Sequence, residues 1–159
     1  SLRMRPDRIV VGEVRGAEAI DMLQAMNTGH EGSLATVHAN TVGDALHRLE
    51  TLASMSDVEI PFHALRDQVN NAIDIVVQVT RGSDGTRRIT EVGYVSSRNR
   101  EDFAIQPIMR WDPEAPGQSG TAGAFVQHPL PARLVDALRI AGELDEQGRP
   151  APLVIEELS

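Results

Sequence analysis

Residues 8–40 read RIVVGEVRGAEAIDMLQAMNTGHEGSLATVHAN, and their order of apolar runs and breakers decides the fold class. Residues 8–11 form a short apolar run that follows the Pro6-Asp7 break and stops at Gly12-Glu13. Its lack of alternation predicts a strand buried on both faces. Over residues 17–28, Ile20, Leu23 and Met26 recur at helical spacing, and Gly29 can close that helix as a left-handed cap. Residues 34–37 are again short and apolar and predict the next parallel strand, ending at His38. Downstream, Thr41 to Asp44 has the pattern of a helix N-terminus, with Val42, Ala45, Leu46, Leu49 and Leu52 on one face. The result is a β-α-β-α alternation, the signature of an α/β fold.

Further along, Pro61 opens a third predicted helix that buries Phe62, Leu65, Val69 and Ile73, and residues 74–79 follow as a strand. Residues 82–85 make a turn. Residues 88–95 and 103–111 are expected to complete an antiparallel meander, with 97–102 as its second connection. Residues 112–123, rich in Pro and Gly, read as a loop, and residues 130–141 as a last short helix on Leu134, Leu138 and Ala141. There is no internal repeat.

The 159 residues hold one domain with a core, or a truncated larger domain with an extension. With 41% hydrophobic, 24% charged and only 3% aromatic residues, aliphatic side chains must fill that core. The net charge of −8 disfavours a broad electrostatic grip on nucleic acid or anionic lipid. No apolar run approaches the roughly 20 residues that span a bilayer. The absence of Cys excludes disulfides and thiol chemistry. The first seven residues carry no signal pattern, so the chain is expected to be cut from a longer one.

Glu13 stands at the C-terminal end of a predicted buried strand, where open α/β sheets bind ligands. A carboxylate there can orient water for in-line attack on a phosphate, or act through a metal-bound water; the same acid also reads as a helix cap or a solvent-facing residue. His30 and His38 flank the second strand at opposite ends, so they are not expected to share a metal ion. The HEXXH pattern fails because position 34 is Leu. Direct metal ligation is therefore not expected, and a metal-dependent hydrolase is the least favoured reading. His47, His63 and His128 read as surface or packing residues. Arg3, Arg5, Arg8 and Arg15 bracket the acid-tipped strand with forks suited to phosphate oxygens, or to the plainer task of pairing Asp7, Glu18 and Asp21.

Taken together, residues 2–40 resemble the central block of the secretion-ATPase superfamily, which serves type II and type IV secretion, type IV pili and tight-adherence pili. An L-R-x-x-P-D lead-in, an apolar strand ending in G-E and a T-G-H to H-A-N histidine box occur here in that order. The wording RPDRIVVGEVRG and AMNTGHEGS is most similar to the tight-adherence and type IV secretion branch, and RLETL, LRDQVNNAIDIVVQ and RRITEV extend the resemblance to about residue 95. It implies the C-terminal part of a RecA-like P-loop NTPase sheet over residues 1–96. That sheet is followed by the antiparallel β-meander and a short helix, so that residues 97–159 form an extension of a β-strand, a Pro/Gly-rich loop and a C-terminal helix. It further implies that Glu13 is the Walker B catalytic glutamate, that His30 and His38 are histidine-box sensors, and that Arg3, Arg15 and Thr28 contact the nucleotide. For the parent protein it implies ATP and Mg²⁺, a hexamer, a platform protein of the inner membrane and a cytoplasmic place against that membrane, with no nucleic acid partner.

The departure is equally specific. A phosphate-binding loop, G-x-x-x-x-G-K-[ST], needs a lysine for the β- and γ-oxygens. All 15 basic residues here are Arg, which rules out that loop in any register. The chain is therefore expected to bind no nucleotide tightly and to hydrolyse no ATP by itself. Its half-sheet is expected to leave an apolar edge prone to self-association.

Overall fold

Thr41 sets the first helix boundary for a chemical reason: its hydroxyl accepts the Asp44 N–H at 3.0 Å, capping the helix that follows. The computed structural model describes residues 6, 8–30, 32–82, 85–96, 102–116 and 122–150, which fall into two units, residues 1–127 and 128–159. The larger unit begins with β1 (Val10–Val11), α1 (Glu18–Asn27), β2 (Leu34–Ala35), α2 (Val42–Ala53) and α3 (Phe62–Ala72). It continues with β3 (Ile75–Arg81), β4 (Arg87–Val95), β5 (Ile105–Pro116) and β6 (Ala122–Gln127). β1 and β2 form a parallel pair, and β3 to β6 form an antiparallel sheet in sequence order. Part of the turn at 82–85 and most of the connection at 97–102 lie outside the described residues.

The core is where the aliphatic-rich composition requires it. Leu23 of α1, Leu46 of α2 and Leu65 and Val69 of α3 are fully buried against one another, joined by Val14 from the end of β1 and Val95 from β4. Gly93 brings β4 close to α2, because a Cβ there would meet Ile105 Cγ2 at 2.8 Å and Val42 Cγ1 at 3.0 Å. Among the described residues, no helix is long and apolar enough to cross a membrane.

Three expectations need correction. The first strand is not buried on both faces: Val10 is 73% exposed, and Leu34 of β2 is 64% exposed. These side chains line an open groove of about 1410 Å³, bounded on its other side by Ile75, Val77 and Val79 of β3. β2 and β3, each an edge strand of its sheet, thus border one groove that nothing in the described chain fills. Phe62, expected on the buried side of α3, is likewise exposed. Residues 112–116 and 122–123 are strand rather than loop, since β5 runs on to Pro116 and pairs with β6, while residues 117–121 of the expected loop lie outside the described residues. The register shift between Asp112 and Pro116 absorbs Pro113, and the Trp111 ring packs edge-to-face on Phe125 at 5.2 Å. Gly123, at φ +86°, permits this, because a Cβ would sit 2.2 Å from Trp111 Cζ2.

The smaller unit contains α4 (Ala132–Ile140) and a tight turn in which Asp145 accepts the Gln147 and Arg149 N–H groups.

Glu50 is the one charged residue buried among those described, at 4% exposure. Arg66 of α3 grips its carboxylate with Nε and Nη2 at 2.9 and 3.1 Å, and this bond holds the Arg66 guanidinium above its ordinary pKa. Removing one partner strands a buried charge, so Arg66→Ala is expected to cost about 2–3 kcal/mol in urea unfolding, and the paired Glu50→Leu/Arg66→Leu change less than that.

Candidate active site at the end of β1

The parallel pairing of β1 with β2 fixes where Glu13 points. Val10 is in register with Leu34 and Val11 with Ala35, while the Leu34 N–H donates to the Ile9 carbonyl at 2.9 Å. Thr36 then holds the chain on both sides of Glu13. Its hydroxyl donates to the Gly12 carbonyl, and its own carbonyl accepts the Val14 N–H at 2.9 Å. Val14, 1% exposed, anchors the turn in the core. Beyond it, the Glu18 carboxylate at the start of α1 accepts the Arg15 and Gly16 N–H groups at 2.8 and 3.1 Å. These bonds draw the Glu18 carboxyl below its usual range, the Arg15 N–H contributing most.

The Glu13 side chain is three-quarters withdrawn from solvent, at 24% exposure, and faces basic side chains from three segments. Arg15 Nη2 lies 2.6 Å from Oε2. His38 Nε2, just beyond β2, lies 2.9 Å from Oε1 without the alignment of a hydrogen bond, so Oε1 is sealed from solvent with no aligned donor. Arg48, on the exposed side of α2, adds positive field. The Arg15 hydrogen bond is the main reason that the Glu13 carboxyl is held below its ordinary range; partial burial opposes it, and the charges of Arg15, His38 and Arg48 reinforce it.

Of the residues singled out in the sequence, Glu13, Arg15 and His38 are brought together. His30 lines the same groove as His38 but makes its own contact elsewhere: Nδ1 lies 3.2 Å from the Ala25 carbonyl, which fixes the proton on Nδ1. Thr28 donates its hydroxyl to the Gln24 and Ala25 carbonyls at 2.8 and 3.2 Å, serving the end of α1. Arg3 and Arg5 lie outside the described residues. Sequence reasoning missed Arg48, and placed Thr36 near the histidines without its role. Arg48 sits on a helix whose apolar face alone had been read, and Thr36 lies inside an apolar run that masks its role as a backbone clamp. No group of three or more His, Asp or Glu suited to a metal ion occurs among the described residues.

This geometry can be set beside known proteins. The family described as Type II/IV secretion system protein matches residues 1–112. The chain belongs to that family. A Mycobacterium tuberculosis protein named for conjugal transfer is 41% identical over 125 residues, 79% of this chain and 34% of that protein. The type IV secretion system protein PtlH of Bordetella pertussis is 43% identical over 99 residues, covering 59% of this chain and 29% of that one. Among solved structures, the VirB11 ATPase of the Brucella suis type IV secretion system superposes with a TM-score of 0.55 at 36% identity, over 58% of this chain and 29% of that chain. As a secretion-family protein of α/β architecture, the chain has the fold of the C-terminal part of a RecA-like ATPase. It spans 29% to 34% of the length of these relatives.

A carboxyl group with a depressed pKa stabilises the fold while ionised, and that contribution is lost as pH falls through its folded-state value. Glu13→Gln removes it at every pH. Denaturant unfolding of the wild type and Glu13→Gln is therefore expected to show a wild-type advantage at pH 7 that shrinks towards acid pH; Glu18, present in both, cancels from the difference.

Proposed function

We propose that this chain is the water-positioning and sensing part of a hexameric ATPase motor that powers pilus assembly or type II/IV protein secretion. The observation that carries this reading is the ionised Glu13 carboxylate at the C-terminal end of a parallel strand, fixed by Thr36 and faced by Arg15 and His38. Binding at that end of a parallel sheet is the general rule for open α/β folds. Residues 1–96 are assigned to the ATPase part and 97–159 to an extension.

The role proposed for Glu13, a carboxylate at the end of a parallel strand, is to orient a water molecule directly or through a magnesium-bound water. Bound Mg²⁺ would supply charge neutralisation on the phosphates. The residues present suit the distal, anionic end of ATP: Arg15 and Arg48 offer guanidinium groups, and His38 an imidazole beside the carboxylate. Arg3 and Thr28 remain proposed nucleotide contacts, and His30 a sensor at the groove edge. The phosphate-gripping half, with its lysine, must come from the parent protein outside these residues. The groove between β2 and β3 suits it: two edge strands, with Leu34, Val77 and Val79 exposed, invite an added strand. The parent is placed on the cytoplasmic face of the inner membrane, docked on a platform protein.

The absence of lysine favours one other reading, a non-catalytic assembly domain derived from such an ATPase. An in-frame GXXXXGK[ST] stretch upstream decides for the motor. In the parent, Glu13→Gln is expected to lower ATP turnover about 100-fold or more with nucleotide binding retained. Unchanged turnover in steady-state assays contradicts the assignment.

A further inference from the structure

Glu13 is positioned for its proposed role but is not free to perform it. One carboxylate oxygen is sealed from solvent against His38, and the other is held by Arg15 at 2.6 Å. The backbone offers no relief. Gly12 and Val14 are bonded to Thr36, and the Arg15 and Gly16 N–H groups to Glu18. What can move is the Arg15 side chain, which is 76% exposed and reaches Glu13 from the solvent side. A guanidinium carries five N–H donors in a planar fork, and its contact with Glu13 runs through Nη2.

We infer that Arg15 is a positioning residue that switches Glu13: it clamps the carboxylate while no anion is present and transfers to an incoming phosphate oxygen, freeing Oε2 to orient water. The inference rests on the reading of Glu13 as the water-positioning group. Two comparisons of strength favour the transfer. An exposed ion pair is weak and screened by salt. A phosphate group offers the same fork two parallel charge-assisted hydrogen bonds, for which arginine is better suited than lysine. The exchange needs only side-chain rotation. The exchange leaves the other titratable groups around Glu13 on their own elements: His38 follows β2, Arg48 belongs to α2, and Glu18 is bonded to the backbone N–H groups. Coupling between anion capture and release of the carboxylate would keep water from being activated before a phosphate arrives.

The test uses the 159-residue chain, with carbon-13 in the glutamate carboxyls and nitrogen-15 in the arginine side chains, and sodium pyrophosphate as the probe. Pyrophosphate is expected to shift the Arg15 Nε signal and to move the Glu13 titration upward. Arg15→Ala is expected to raise the Glu13 titration with no probe present, to leave pyrophosphate little further effect on it, and to weaken pyrophosphate binding about tenfold. Arg15→Lys, which keeps the charge but loses the fork, should fall between the two. Because the side chain is exposed, both variants should keep the wild-type amide spectrum, which confirms that they fold. Equal pyrophosphate affinity in the wild type and Arg15→Ala, or no response of Arg15 or Glu13 in the wild type, overturns the switch. Its failure is distinguishable from failure of the functional reading: full turnover by Glu13→Gln in the parent would remove the water-positioning role, while the Arg15 exchange would still be measurable in this chain.

Discussion

The site depends on the two-residue parallel pairing of Val10–Val11 with Leu34–Ala35 and on its continuation through Thr36. A ladder this short would have little standing alone, since two strands without a covered face are marginal in water. It persists because Val14, immediately beyond it, is built into the helical core with Leu23, Leu46 and Leu65. Thr36 transmits that rigidity to Glu13 by holding the carbonyl before it and the N–H after it. A fixed backbone with an exposed arginine next door is the combination that a switchable carboxylate requires.

The groove follows from the same arrangement. In a complete open sheet the strands that carry a ligand edge are flanked on both sides, and apolar side chains on both faces are covered. Here β2 and β3, each an edge strand of its sheet, border one groove, and Val10, Leu34, Val77 and Val79 remain half or more exposed. The chain spans about a third of the length of these relatives, and the surface it exposes suits the added strand proposed above. His30 and His38 both border this groove, which puts the proposed sensing residues next to the place where the phosphate-gripping half would sit.

What was legible in the sequence was what local chemistry determines. Thr41 with Asp44 announced the start of α2, Pro61 that of α3, and Gly29 appears at φ +97° after α1. The Glu13–His38 neighbourhood was legible through motif order, because each half of the pattern alone also suits a cap or a structural histidine. Long-range packing was not legible. Pro and Gly between 112 and 123 read as a loop, yet the edge-to-face packing of Trp111 on Phe125 and the small Gly123 keep β6 on the sheet. The ion pair of Glu50 with Arg66 joins residues sixteen apart on different helices, beyond the reach of any helical spacing rule. Arg48 was hidden for a similar reason, since its relevance depends on how α2 lies beside the end of β1.

The most direct measurement is reconstitution: Mg-dependent ATP turnover by the 159-residue chain alone, and again with the lysine-bearing N-terminal remainder of the parent protein supplied as a separate polypeptide. No turnover alone, and turnover restored on mixing in the wild type but not with Glu13→Gln, is the predicted result. Turnover by the chain alone, or restored turnover indifferent to Glu13→Gln, would contradict the assignment of this chain as the water-positioning half of a split ATPase site.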